Sequence, residues 1–139
     1  MTLHLTQNGD GIHFTGSNDD GYEVTIRSSD EQTGISPMEM TALSVGGCSS
    51  IDVLLILDKQ QQSVDHFEAE VDAQRDEDGT PAVFTDIHVH YRVEGNIEPD
   101  KMRRAIELSL DKYCSVSHMI ESTADITYSF AVNGERYDA

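Results

Sequence analysis

Two cysteines in 139 residues are too few for a disulfide framework, so Cys48 and Cys114 are each judged by their own surroundings. No continuous apolar run reaches the roughly 20 residues that cross a bilayer. The opening Met1-Thr2-Leu3-His4-Leu5 lacks the basic region and apolar core of a secretory signal. The expectation is a soluble, cytoplasmic protein whose thiols rest reduced. Basic residues are also scarce: the only lysines are Lys59, Lys101 and Lys112, and no lysine or arginine precedes Arg27. The net charge of −17 far exceeds the magnitude of roughly 2–8 that keeps a small domain soluble. Such a surface repels phosphate backbones and anionic lipid, which argues against nucleic acid or a membrane as partner. The acids are spread through turns and helix faces rather than gathered in a tail. A high-salt cytosol would screen this charge; an ordinary acidic protein would carry it too. With no repeat, linker or low-complexity segment, the expectation is a single domain over residues 1–139.

What is present centres on one long stretch. Ser36-Pro37-Met38-Glu39 carries the signature of a helix start, with a cap, a proline at the first helical position and a glutamate three residues after the cap. From Pro37 to Lys59 the helix would run about 34 Å. Apolar residues lie on every side of its wheel, so it must be covered all round. Gly46-Gly47-Cys48-Ser49-Ser50 interrupts it with almost no side-chain bulk. Two glycines cost a helix roughly 1–2 kcal/mol, which points to close approach of another backbone, a local break, or access to the cysteine.

Before that helix, Leu3–Thr6, Ile12–Thr15 and Tyr22–Ile26 alternate apolar with polar residues, separated by Asn-Gly and Asp-Gly turns. They predict an antiparallel meander. After it, Val64–Gln74 and Val83–Val93 predict a hairpin, with Phe67, Ala69, Val71 and Ala73 on one face and Ile87, Val89, Tyr91 and Val93 on the other strand's matching face. Glu98-Pro99-Asp100 opens a second helix with Met102, Ala105, Ile106, Leu108, Ser109 and Leu110 on its apolar side. Lys112–Ser115 breaks it, Val116–Glu121 predicts a shorter helix, Asp125–Val132 a last strand, and Asn133-Gly134 its end. The fold class is α+β.

Both cysteines lie in helical regions beside serines. Cys114 falls where a helix begins, and the N–H groups there favour a thiolate below the free value of about 8.5. A zinc site built from His88, His90, His118 and the cysteines lacks the short fixed spacings such sites use. Ser49 and Ser50 have no strand-turn-helix elbow and read as packing residues bonded to the preceding turn. Glu39 reads equally as a capping carboxylate and as a functional one. Phe14, Phe84 and Tyr113 suit a pocket for an apolar molecule, with core packing the default for each.

Taken together, the Pro37-Met38-Glu39-Met40 opening, Gly46-Gly47-Cys48 in a long helix and Tyr113-Cys114-Ser115-Val116 before a short one resemble the OsmC/Ohr family of thiol-dependent hydroperoxide reductases, nearest its small OsmC-like branch. The resemblance spans nearly the whole chain. It implies antiparallel sheets wrapped around the long central helix in an intertwined homodimer, so that a second subunit supplies the missing cover. It implies that Cys48 is the peroxidatic residue, that Cys114 resolves its sulfenic acid as a disulfide, and that Glu39 holds an arginine against the reactive sulfur. In Ohr-type members that arginine comes from the N-terminal strands. The implied partners are a hydroperoxide or other apolar small molecule and an external dithiol reductant, with no cofactor and no metal. The alternative is a weakly active or non-enzymatic dimer that senses redox state or holds a small hydrophobic ligand.

Overall fold

The computed structural model describes all 139 residues, Met1–Ala139. They form two compact units, residues 1–41 and 42–139, and helix α1 (Pro37–Lys59) begins in the first and continues through the second.

In the first unit, β1 (Leu3–Gln7), β2 (His13–Asn18) and β3 (Glu23–Arg27) form the antiparallel meander that their alternation predicts. The Asn18 carboxamide oxygen accepts from the backbone N–H groups of Asp20 and Tyr22, each at 3.0 Å, and so closes the second turn. The helix start is a capping box as expected: Glu39 N–H donates to Ser36 Oγ at 3.1 Å, and Ser36 N–H donates to Glu39 Oε1 at 2.9 Å. Leu3, Leu5, Tyr22 and Val24 remain exposed and, with Ile26 and Met40, border an apolar trough of about 530 Å³.

In the second unit, β4 (Ser63–Arg75) and β5 (Phe84–Asn96) pair as the predicted hairpin. The register sets Phe67, Ala69, Val71 and Ala73 opposite Val93, Tyr91, Val89 and Ile87, which gives the sheet one apolar face. Ile87, Val89, Tyr91 and Val93 are buried on it. Then come α2 (Pro99–Leu108), a π-helical turn (Ser109–Tyr113), α3 (Ser115–Ile120), β6 (Asp125–Val132) and β7 (Glu135–Asp138). Two features differ from expectation. The sheet order is β4-β5-β6-β7, and β5 pairs with β6 in parallel, so this sheet is mixed rather than antiparallel. The helical segment between those strands is the crossover that a parallel pair requires. Asn133-Gly134 ends β6 as expected, but β6 is not the last strand. With φ of 50° and 86°, this pair is the tight turn into β7, where Phe130 stacks on Tyr137 at 5.1 Å.

Helix α1 is unbroken for 23 residues. Ala42, Val45, Gly46, Ser49, Val53 and Leu57 form its buried face, and Ser49 Oγ meets the Tyr91 hydroxyl at 2.7 Å on the sheet. Leu43, Ile51 and Leu55 on the other side are 59, 62 and 58 % exposed, so the chain covers only one side of a helix that is apolar all round. By length and composition α1 is apolar enough to cross a bilayer, contrary to the expectation from its broken apolar runs. Its small residues interrupt the run without lowering the average much. At Gly46 the close neighbour is a side chain rather than the expected backbone, since a Cβ would lie 2.6 Å from Val71 Cγ2; Gly47 meets nothing within 4 Å.

Gly46→Ala should therefore destabilise the fold. Overpacking against a β-branched side chain costs about 1–3 kcal/mol, and helix propensity returns about 1 kcal/mol. The expected net loss is up to about 2 kcal/mol in a urea melt; an alanine variant more stable than the parent would refute the close packing.

Candidate functional site: a paired-thiol cluster

The site is assembled from one turn of α1 and the irregular end of α2. Cys48 and Asp52 are four residues apart on α1, so their side chains neighbour each other on one face. Across from them, the buried stripe of α2, Met102, Ala105 and Ile106, continues not to a hydrocarbon but to Ser109, which is fully buried. The Ser109 hydroxyl donates to Asp52 Oδ2 at 2.9 Å, with the Ser49 carbonyl oxygen also near at 3.3 Å.

The same serine begins the π-helical turn. Its carbonyl accepts from Cys114 N–H at 2.7 Å, a wide turn of the kind often found at functional sites. Cys114 then leaves helical geometry, with φ −74° and ψ 103°, and caps α3 through its sulfur. Ser117 donates to Cys114 Sγ through its hydroxyl at 3.0 Å and its backbone N–H at 3.4 Å. Ser109 thus ties down both the Asp52 carboxylate and the backbone of Cys114.

The two sulfurs and an Asp52 carboxylate oxygen all lie within 4.8 Å of one another. Both thiols are free; Cys48 is half-buried and Cys114 is 2 % exposed. Beneath them, Ser49 gives its one proton to the Val45 carbonyl at 2.7 Å, so the Tyr91 hydroxyl is the donor in the Ser49–Tyr91 bond. Burial pushes the Tyr91 phenol well above its usual value, which keeps that donor protonated.

Burial also pushes the Cys114 thiol up; the two Ser117 hydrogen bonds pull it down, and the neighbouring Cys48 adds to the rise. The expectation of a lowered value at this helix start is corrected. Removing water from the sulfur penalises its charged form more than a single short turn of N–H groups favours it.

Glu39 is both a capping carboxylate and an ion-pair partner. Its Oε1 accepts from Arg27 Nη2 at 3.0 Å, and the capping bonds from Ser36, with the Arg27 charge, hold its carboxyl below the usual range. Arg27 is further fixed by the carbonyls of Gly34 and Ser28, both at 3.1 Å. His88 and His90 lie on the polar face of β5, bonded to Thr127 and Ser129. His118 is exposed beside Glu121 at 3.2 Å. None of the three histidines belongs to the sulfur cluster, which offers a cation two thiols and one carboxylate, one donor short of a structural zinc site. Phe84 is core; Tyr113 is exposed, with Lys112 over its ring at 5.3 Å.

Asp52, Ser109 and Tyr91 are the site residues that sequence reasoning passed over. Asp52 had a signal: it is the only charge between Glu39 and Asp58, and it falls one turn after Cys48. Ser109 had a weaker one, as a hydroxyl in line with the apolar stripe of α2.

A half-buried thiol and a sealed one, brought together by helices lying on a mixed sheet, define a vicinal-dithiol protein of α+β class. The chain belongs to the OsmC family, whose model, described as OsmC-like protein, matches residues 28–129. It is 37 % identical to Protein YhfA of Escherichia coli (strain K12) over 124 residues, 88 % of this chain and 92 % of that one. Among solved structures, it is similar to a hypothetical protein from Aquifex aeolicus VF5, with TM-score 0.85, 29 % identity and 95 % of each chain covered. It also shares its fold with an organic hydroperoxide resistance protein OsmC from Legionella pneumophila, at TM-score 0.68 and 13 % identity over 95 % of this chain and 96 % of that one.

Under native conditions iodoacetamide should alkylate Cys48 well before Cys114, because Cys48 is the more exposed sulfur and burial raises the Cys114 thiol. The Cys114 midpoint should lie above the free-thiol value of about 8.5. Peptide mapping across a pH series checks this, and equal rates at the two sites would contradict the burial of Cys114.

Proposed function

We propose that this protein reduces organic hydroperoxides with two cysteines, Cys48 as the peroxidatic residue and Cys114 as the resolving one. The observation that carries the proposal is the pairing of a reachable sulfur with a sealed one within 4.8 Å. The Cys48 thiolate attacks one peroxide oxygen, the O–O bond breaks, and the alkoxide leaves as an alcohol once protonated. Cys48 is then a sulfenic acid. Cys114 displaces its hydroxyl as water and closes a disulfide, which an external dithiol reduces. Membership of the OsmC family supports the chemistry, as does the shared fold with the Legionella pneumophila protein named for organic hydroperoxide resistance. Glu39 is proposed as the third functional residue. Its bond to Arg27 supports this reading, since the OsmC/Ohr resemblance implies a glutamate that holds an arginine.

We also propose that the protein works as a homodimer joined through α1. Leu43, Ile51 and Leu55 present an apolar strip, and Gly47, with nothing near it, lets a second backbone approach. Apolar residues on β1 and β3 are also left open. An isologous pairing would remove these surfaces from water.

With cumene hydroperoxide and dithiothreitol or dihydrolipoamide, the wild type should consume peroxide and Cys48→Ser should not. Peroxide alone should yield one intrachain Cys48–Cys114 disulfide by mass spectrometry. Equal, slow consumption by both proteins would favour a redox-sensing or ligand-holding dimer instead. In analytical ultracentrifugation the wild type should sediment as two copies and Ile51→Arg should shift it towards one; a monomeric wild type would overturn the dimer.

A further inference from the structure

The two-cysteine scheme leaves Asp52 without a task, yet it is the one charge on the inner length of α1 and sits beside both sulfurs. We propose that Asp52 is the general base that carries the proton between the two sulfurs when the disulfide closes. The proposal rests on the assignment of Cys48 and Cys114 as the pair that forms that bond.

Closing the disulfide requires the Cys114 S–H bond to break as its sulfur's electron pair attacks Cys48. The Cys48 S–O bond breaks with its pair on oxygen, and that oxygen needs a proton to leave as water. One proton is therefore lost at one sulfur and needed at the other. Cys114 is buried among Ser117 on its own helix, Cys48 and Asp52 on α1, and Tyr91 on β5, and no cation stands among these groups. Burial keeps its thiol protonated, so the proton needs an acceptor within the site. Tyr91 is a donor already committed to Ser49, and the Ser117 hydroxyl donates to the sulfur. The Asp52 carboxylate is the remaining acceptor, within 4.8 Å of both sulfurs, a gap closed by a small rotation or one bridging water. Ser109 holds it by Oδ2 only, and the same residue anchors Cys114 through its carbonyl. Base and attacking thiol are thus fixed to a single residue, which keeps their geometry constant as Cys48 changes oxidation state.

The test uses the full-length reduced protein and two routes to the same step. After one equivalent of cumene hydroperoxide, dimedone trapping follows the Cys48 sulfenic acid and mass spectrometry follows the disulfide. Separately, dithiobis-nitrobenzoate places a mixed disulfide on Cys48, releasing one thionitrobenzoate; attack by Cys114 then releases the second, which is read by absorbance. Asp52→Asn should form the sulfenic acid and the first thionitrobenzoate no more slowly than the wild type, since it removes a negative charge beside the Cys48 sulfur. Near neutral pH it should close the disulfide about 100-fold more slowly by both routes, within the usual range for general-base catalysis. That deficit should shrink as rising pH ionises Cys114 directly, and Asp52→Glu should restore much of the rate. A merely structural role predicts a deficit that is flat with pH and not rescued by glutamate; that result, or closure by Asp52→Asn at the wild-type rate, overturns the proposal. If Asp52→Asn does not fold, Ser109→Ala decides: it leaves the carboxylate but frees it, and an unchanged second release would count as refutation. A wild type that forms no sulfenic acid would instead sink the peroxidase reading, while the thionitrobenzoate route still judges Asp52.

Discussion

The structure depends on the close seating of the small-residue face of α1 on the β4–β5 hairpin. Gly46 admits Val71 where no side chain fits, and Ser49 meets Tyr91 through a buried hydrogen bond. Because a buried polar pair of this kind is costly to break, it sets the rotation of the helix about its axis as well as its distance from the sheet. That rotation decides that Cys48 and Asp52 look towards the end of α2 rather than towards solvent. The glycine, with an expected cost of about 1 kcal/mol in a helix, is thus offset by the contact it permits.

From that seating the site follows by short links. Ser109 sits buried just past the end of α2 and spends its hydroxyl on Asp52. Its carbonyl closes the π turn that delivers Cys114, and Ser117 completes the sulfur's hydrogen bonding. A chain of serines therefore does the positioning, each satisfying a polar group that the helix interior would otherwise leave unpaired. The two thiols differ in exposure, not in kind, and this asymmetry gives them different chemistry: one meets a reagent from outside, the other only its neighbour. The Cys114 thiol is held in its neutral form chiefly by desolvation.

Away from the site, the charge is handled by exposed pairs. Arg92 reaches Glu68 at 2.8 Å and Glu70 at 3.3 Å on the outer face of the hairpin. Solvent-exposed pairs of this sort add little to stability, so their value lies in placing scarce cations. The apolar strip on α1 is the opposite case, a surface that a single chain leaves to water.

The sequence by itself determined whatever depends on neighbours along the chain. The strand alternation, the Ser36–Glu39 capping box, the limits of α1 and the apolar stripe of α2 were legible, because period and capping are local properties. So was the pair of cysteine motifs, and with it the OsmC family. The parallel pairing of β5 with β6, the continuation past Asn133-Gly134 into β7 and the partner of Glu39 were not legible, since each rests on which distant segment lies alongside. The same holds for Asp52 and Ser109: their residue types were visible, but only packing put them against the sulfurs. Tertiary structure alone also reversed the expected ionisation of Cys114, because the helix start is written in sequence while the dryness around the sulfur is supplied by residues far from it in the chain.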